Sequence, residues 1–163
     1  MARSANHELL NEADFARLFL EDIPLLDVRA PVEFRHGAFP CATNIPLLED
    51  DEREQVGKVY KQAGRDAALA LGHRLVSGST KDQRLANWSD FYHRHPNAAL
   101  YCFRGGQRSK IAQQWLAEAG ISIPRVAGGY KSMRRFLINS IAFPVANTPL
   151  LILGGKTGSG KTR

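Results

Sequence analysis

Residues 98–109 read Ala-Ala-Leu-Tyr-Cys-Phe-Arg-Gly-Gly-Gln-Arg-Ser. The apolar run before Cys102 predicts a short buried strand, and the helical spacing of apolar residues after Ser109 predicts a helix that stops at Gly120. A strand, a loop and a helix in this order form the repeating unit of a parallel sheet with helices on its faces. This stretch therefore predicts an α/β fold.

The loop after Cys102 has the composition of an anion cradle. A cysteine at the carboxyl end of a strand, just before a helix, lies where α/β folds bind ligands. Glycines let backbone amides turn inward, and arginines can hold an oxyanion or balance a thiolate. The alternative is a buried structural cysteine, but these surroundings favour a reactive one. Cys102 is the predicted catalytic residue, and the predicted cradle consists of Phe103, Arg104, Gly105, Gly106, Gln107 and Arg108.

The chain before this loop predicts mainly helices. Asn11 can cap a first helix, residues 25–28 read as a buried strand, and residues 29–48 hold enough prolines to predict an ordered loop. Residues 49–76 predict a helix, and residues 79–95 predict another that ends before a proline.

Four glycines predict helix breaks or a turn. Gly64 and Gly72 are expected to interrupt the helix over residues 49–76. After the Cys102 loop, residues 121–126 predict a strand, Gly128-Gly129 predicts a turn, and residues 131–138 predict a short basic helix.

Charge is spread unevenly along the chain. The formal net charge is +6, and residues 101–163 carry ten Lys or Arg against a single acidic residue, Glu118. Such asymmetry favours phosphates, sulfur oxyanions or nucleic acid as partners, with a solvated basic surface as the alternative. The sequence has no apolar run long enough for a bilayer and no signal-peptide pattern, which predicts a cytoplasmic protein with reduced cysteines. Histidine and cysteine spacing predicts no metal site.

Three separated motifs resemble the rhodanese family, whose sulfurtransferases carry sulfur as a cysteine persulfide. The first motif lies within residues 26–46 and includes Leu26-Asp27-Val28-Arg29 and Glu33-Phe34, and the last is Gly128-Gly129-Tyr130. The resemblance implies a rhodanese-like parallel sheet with helices on both faces over residues 11–140, with a helical insertion at about 49–95. Cys102 falls on the catalytic cysteine of that family.

Two alternative activities stay open on these residues. The spacing of Cys102 and Arg108, with five residues between them, also resembles cysteine phosphatases, some of which share this fold. A phosphatase usually supplies a general acid, and residues 103–107 contain none. This favours chalcogen transfer, either in a thiosulfate-type sulfurtransferase or in a more specialised enzyme.

The C-terminal segment matches the phosphate-binding P-loop pattern. Residues 149–153 read as a buried strand and lead into the pattern, whose fixed positions are Gly155, Gly160, Lys161 and Thr162. The helix that would complete such a cradle would lie beyond Arg163. The expectation is therefore that residues 148–163 are the truncated start of a P-loop domain and that the chain is an N-terminal fragment.

A rhodanese-like domain followed by a P-loop, with this loop and insertion, resembles the tRNA 2-selenouridine synthase family. The resemblance implies a transferase that converts wobble 2-thiouridine of tRNA to 2-selenouridine through an S-geranyl intermediate. Its co-substrates would be selenophosphate and geranyl diphosphate, with no permanently bound cofactor, and an enzyme that supplies selenophosphate would be a partner. Lys161 and Thr162 would bind the diphosphate.

Several other polar residues are expected to be structural. Asp27 and Arg29 should form an ion pair, and His36 should support the loop. Cys41 should be a small buried thiol, although resolving an oxidised Cys102 is the alternative. The basic residues of the predicted helix should form a solvated face, with the tRNA backbone as the alternative contact; they are Lys131, Arg134 and Arg135.

Overall fold

The computed structural model describes residues 8–147, residue 149 and residues 154–156. The strands are β1 (Leu9–Leu10), β2 (Leu25–Asp27), β3 (Ala42–Asn44), β4 (Ala99–Tyr101) and β5 (Arg125–Val126). The helices are α1 (Glu12–Leu20), α2 (Pro31–Arg35), α3 (Asp50–Leu75), α4 (Ser79–Arg94), α5 (Gln107–Glu118) and α6 (Gly129–Asn147).

The strands form one sheet in the order β1-β5-β4-β2-β3, with every neighbouring pair parallel. In the register of β2 and β4, Asp27 lies opposite Tyr101. The loops that leave these two strands therefore begin side by side at the carboxyl edge of the sheet, where α/β folds bind ligands. The predicted parallel sheet is confirmed.

Alternate residues of the central strands face two separate hydrophobic cores. Leu26 and Leu100 pack with Trp88 of α4 and Leu116 of α5. The intervening residues of the same strands pack against α1 and α6 through Phe15 and Met133. Because side chains alternate across a strand, these two cores lie on opposite faces of the sheet. The predicted helices on both faces are confirmed.

Residues 29–48 contain a helix and a strand, where the sequence predicted only an ordered loop. Pro31 begins α2 at the first helical turn, where a missing amide hydrogen costs nothing. Residues 42–44 form β3 because they pair with β2, a contact that local sequence does not reveal. The two-residue β1 was also missed, since it is defined by its pairing with β5.

Residues 49–95, predicted to be a helical insertion, form α3 and α4, and we call these two helices the insertion. Gly64 breaks α3 with φ 81° and ψ −172°, so the helix has two arms. Gly72, predicted to be a second break, lies within the second arm, and a Cβ placed on it would be 3.9 Å from Val56 Cγ2 of the first arm. In a straight helix these two residues would be about 24 Å apart, so the arms fold back on one another.

Other element bounds differ from the predictions. α1 begins after the capping box of Asn11 and Asp14, as expected. α5 starts at Gln107, slightly before its predicted start, and α6 extends well beyond residues 131–138. The predicted strand over residues 121–126 is shorter than expected, because β5 comprises only Arg125 and Val126.

The predicted P-loop falls almost entirely outside the described residues. Gly155 is exposed and lies in no helix or strand, while residues 150–153, Gly160, Lys161 and Thr162 are not among those described. The P-loop domain stays a prediction. Within the described part of the chain, no helix combines the length and apolar character needed to cross a bilayer.

A candidate active site around a buried cysteine

Cys102 follows β4 directly and lies at the carboxyl edge of the sheet. Its side chain is 2% exposed, and Sγ lies 3.2 Å from Ser109 Oγ, to which the thiol donates a hydrogen bond. Ser109 Oγ in turn donates to the carbonyl of Gly106 at 3.1 Å. The first turn of α5 therefore positions the thiol through a buried hydroxyl group.

The Cys102 loop is in direct backbone contact with the Gly128-Gly129 turn. Tyr130 N donates to Cys102 O at 2.9 Å, and Lys131 N donates to Phe103 O at 3.1 Å. Gly129 has φ +57°, and a Cβ there would lie 2.0 Å from Cys102 O. Glycine is required because any side chain would separate the two segments. The structure thus joins two motifs that are distant in the sequence.

The backbone of the loop has amides available for an anion. Across residues 8–147, no carbonyl or side-chain oxygen accepts a hydrogen bond from the amides of residues 103–109. The last three of these residues form the first turn of α5, whose amides also carry the partial positive charge of a helix N-terminus. The predicted role of this loop as an anion cradle is compatible with these unpaired donors.

A cavity of about 730 Å³ opens onto the thiol, and we call it the thiol cavity. It brings together Cys102 and most of the predicted cradle. Gly105 does not line it, because this glycine packs against the Gly128-Gly129 turn. The charged groups of the wall are four arginines and one carboxylate, so cations predominate; they are Arg29, Arg53, Arg104, Arg108 and Glu33.

Arg108, predicted to hold an oxyanion, is already paired with a carboxylate. Its Nη1 and Nη2 donate to Glu33 Oε2 and Oε1 at 2.5 and 3.1 Å, and Arg53 Nε lies 3.3 Å from Glu33 Oε2. Burial disfavours both charges, but the hydrogen bonds between them prevail, so the pKa of Arg108 is raised and that of Glu33 is lowered. The Cys102 loop contains no acidic residue, but Glu33 of α2 brings a carboxylate to the site, where it is the ionised partner of Arg108.

Arg104 has no such partner. Its side chain is exposed at the mouth of the thiol cavity, and in the described ranges no carboxylate lies within ion-pair distance of it. Of the two arginines predicted in the cradle, Arg104 is therefore the one whose charge is available to a ligand.

The predicted structural ion pair of Asp27 and Arg29 is confirmed. Arg29 Nη2 lies 2.7 Å from Asp27 Oδ2, and both side chains are at most 1% exposed. Tyr101 Oη donates to the same carboxylate at 2.6 Å, and burial, followed by the charge of Asp27, raises the pKa of Tyr101. The Arg29 guanidinium also lies over the Tyr130 ring at 4.0 Å. This cluster links the carboxyl end of β2 to α6.

Arg125 supports the loop and was missed in the sequence. Its Nη1 donates to Gly105 O at 2.7 Å, and its Nε donates to Gln113 Oε1 at 3.3 Å. Burial lowers its pKa, while the nearby Cys102 opposes that shift. An arginine inside an otherwise apolar strand pattern was the signal that could have identified it.

Cys41 lies at the amino end of the parallel strands, whereas Cys102 lies at their carboxyl end. It precedes β3, and its carbonyl accepts a hydrogen bond from Leu25 N at 2.9 Å. The strand register and ordinary strand spacings separate the two cysteines by about 16 Å, beyond the reach of a disulfide. Cys41 is a partly buried structural thiol, and burial raises its pKa.

The remaining predicted residues lie at the surface. His36 borders the thiol cavity, with its Nδ1 2.6 Å from Val32 O, which fits its predicted structural role. The basic side chains near the start of α6 are exposed; they are Lys131, Arg134 and Arg135.

No family model matches the chain. It is 58% identical over 149 residues to the tRNA 2-selenouridine synthase of Hahella chejuensis, covering 91% of this chain and 39% of that protein. It is 60% identical over 148 residues to the tRNA 2-selenouridine synthase of Photobacterium profundum, covering 91% of this chain and 40% of that protein. The resemblance to tRNA 2-selenouridine synthases is confirmed over this region, and the chain spans about two fifths of the length of these curated relatives.

Two solved structures are also similar. The chain matches the N-terminal domain of a "putative ATP/GTP binding protein" from Clostridium difficile 630 with a TM-score of 0.70 and 28% identity, covering 80% of this chain and 99% of that domain. A rhodanese-related protein from Thermoplasma volcanium matches with a TM-score of 0.47 and 21% identity, covering 78% of this chain and 91% of that one.

Proposed function

We propose that this chain is the cysteine-bearing part of a tRNA 2-selenouridine synthase, an enzyme that modifies tRNA. The observation that carries the proposal is the Cys102 site itself. The buried Cys102 thiol lines one basic cavity together with Arg104, which has no ion-pair partner among the described residues, in a chain 53–60% identical to such synthases. Because the chain spans only part of these relatives, the complete activity requires regions that they contain beyond this match.

The reaction we propose replaces the sulfur of wobble 2-thiouridine by selenium in two stages. The uridine sulfur first attacks geranyl diphosphate, which forms a carbon–sulfur bond and releases diphosphate. The predicted P-loop residues would bind that diphosphate; they are Gly155, Gly160, Lys161 and Thr162. This stage makes the sulfur a better leaving group, because it can then depart as a thiol.

Cys102 acts in the second stage. Its thiolate attacks C2 of the S-geranylated uridine, the bond from C2 to the geranylated sulfur breaks, and geranylthiol leaves after taking up a proton. The selenium of selenophosphate then attacks C2 and displaces Cys102. Hydrolysis of the selenium–phosphorus bond releases phosphate and leaves selenium on the base. These nucleophilic substitution reactions together consume no oxidant and no reductant.

The cradle binds selenophosphate in this proposal. Arg104 and the amides of residues 103–109 donate to its phosphate oxygens, and hydrogen bonds to such anions are among the stronger ones in proteins. Arg108 is held by Glu33, so it contributes a fixed positive charge beside the thiol. Ser109 keeps the thiol at the floor of the cavity. A selenophosphate-supplying enzyme is the partner this chemistry requires.

The decisive experiment replaces Cys102 by Ala or Ser in the full-length protein. Modified tRNA is digested, and 2-selenouridine is quantified by nucleoside mass spectrometry. We expect both variants to form none, whereas the control Cys41→Ala should retain the activity, since Cys41 is about 16 Å from the site. Undiminished 2-selenouridine in Cys102→Ala would overturn the proposal.

A further inference from the structure

A second cavity, of about 920 Å³, lies between the two arms of α3 and helix α5, and we call it the insertion cavity. Its volume is in the range typical of small-molecule sites. It adjoins the thiol cavity, and four side chains line both of them; they are Arg53, Arg104, Gln107 and Arg108. A group bound in the insertion cavity can therefore be attached to a molecule that reacts at Cys102.

The floor of the insertion cavity is apolar. It includes side chains that belong to the hydrophobic core below the α4 and α5 face of the sheet, such as Leu47, Leu48 and Trp115, which are 4%, 7% and 7% exposed. Val56 and Leu69 extend this surface along the two arms of α3. An apolar ligand would gain free energy by removing this surface and its own from water.

The rim of the same cavity is basic. Its exposed side chains include Lys58, Lys61 and Arg65. Lys58 pairs with Glu54 at 2.7 Å, whereas within the described residues no carboxylate lies at ion-pair distance from Lys61 or Arg65. An apolar floor under a cationic rim is complementary to an apolar group carried by a polyanion.

We propose that the insertion cavity binds the apolar chain carried on the substrate sulfur, while C2 of the base lies at Cys102 in the thiol cavity. This inference rests on the proposed function, in which that chain is the geranyl group of an S-geranylated tRNA. The kink at Gly64 has a direct role in it, because the folded arms of α3 form the walls of the cavity. The insertion is then a binding site for the leaving group.

Gly57 offers a way to fill the cavity without disturbing the fold. It lines the insertion cavity on the first arm of α3, and a Cβ placed on it meets no atom within 4 Å. A side chain at this helical position also improves helix propensity, so Gly57→Phe should fold. Gly57→Ala is the matched control, since a methyl group occupies little of the cavity.

The test measures 2-selenouridine formation by the full-length protein from two synthetic RNA hairpins. One carries S-geranyl-2-thiouridine and the other carries S-methyl-2-thiouridine, and selenophosphate is supplied to both. In the unaltered protein we expect kcat/KM to be at least about tenfold higher for the geranyl substrate, because each buried methylene of the chain contributes. Gly57→Phe should remove this preference by lowering only the geranyl rate, and Gly57→Ala should keep it.

Two results would overturn the inference. One is equal kcat/KM for both substrates in the unaltered protein, and the other is a Gly57→Phe variant that keeps the full geranyl preference or slows both substrates equally. Cys102→Ala, assayed in parallel, separates this from the proposed function. Suppose that Cys102→Ala loses both reactions while the unaltered protein shows no preference between the geranyl and methyl substrates. The proposed function would then stand, and the insertion cavity would be rejected as the site that binds the apolar chain.

Discussion

Arg108 and Glu33 form a two-point ion pair at the wall of the thiol cavity although they are 75 residues apart in the chain. One residue belongs to α5 and the other to α2, and the parallel register of β2 and β4 brings the two helices to the same edge of the sheet. This pair fixes the charge of the arginine and removes the carboxylate as a proton donor.

Glu33→Gln should destabilise the protein. The substitution leaves the part-buried Arg108 guanidinium without its ionised partner, and losing a hydrogen-bonded charge of this kind costs about 2 kcal/mol of unfolding free energy. Chemical denaturation measures the change. Glu54→Gln is the control, because the Glu54–Lys58 pair is solvent-exposed and should contribute nothing measurable. Equal stability of Glu33→Gln and the unaltered protein would show that the pair is not maintained.

The same substitution should lose its effect in acid. Since the folded protein lowers the pKa of Glu33, this carboxylate stabilises the fold fully above its unfolded pKa of about 4.3, and the contribution is lost as the pH falls through the lower folded pKa. Unfolding measured from pH 7 down to strong acid should show the stability difference between the unaltered protein and Glu33→Gln shrinking below about pH 4.3. A difference that grows toward low pH would contradict this.

Gly129→Ala should abolish folding or cost more than about 3 kcal/mol. The added Cβ would lie 2.0 Å from Cys102 O, a backbone atom that cannot rotate away. Gly120→Ala is the matched control, because Gly120 also has a positive φ but no atom within 4 Å of the added Cβ. It should lose only about 1–2 kcal/mol. Thermal unfolding and soluble yield compare the two, and similar losses in both would argue against the predicted clash.

Arg104→Ala should weaken binding of selenophosphate. Removing a hydrogen bond to a charged group should raise the KM for selenophosphate about tenfold, with a smaller effect at high salt. Steady-state kinetics of the full-length protein measure this. Arg17→Ala on α1, an exposed position on the opposite face of the sheet, should leave KM unchanged. An unchanged KM in Arg104→Ala would remove Arg104 from the cradle.

The protein should not act as a phosphatase. Glu33, the one carboxylate among the described residues that lines the thiol cavity, is kept ionised by Arg108 and therefore cannot protonate a leaving alkoxide. With an alkyl phosphate as substrate, whose leaving alkoxide needs that proton, we expect phosphate release at the same background rate in the unaltered protein and in Cys102→Ala. Release that depends on Cys102 would instead support the phosphatase alternative.

Much of the site could be predicted because its parts are local. The Cys102 loop is one continuous segment of the chain. The Asn11 cap and the ion pair of Asp27 and Arg29 each join residues at most three positions apart. Neighbours along the chain are in contact in almost any fold, so composition and spacing carry that information. The kink at Gly64 is predictable for the same reason, since it reflects the conformational freedom of one glycine.

What the sequence alone determined is a cysteine in a glycine-rich basic loop of a parallel α/β fold. The tertiary structure decided which charges remain available to a ligand, because Arg108 finds Glu33 and Arg125 finds Gly105 only after the sheet register is set. It also decided that α3 folds into two arms with a cavity between them and α5. These features arise from contacts between distant segments, whose free energy depends on the assembled fold rather than on local sequence.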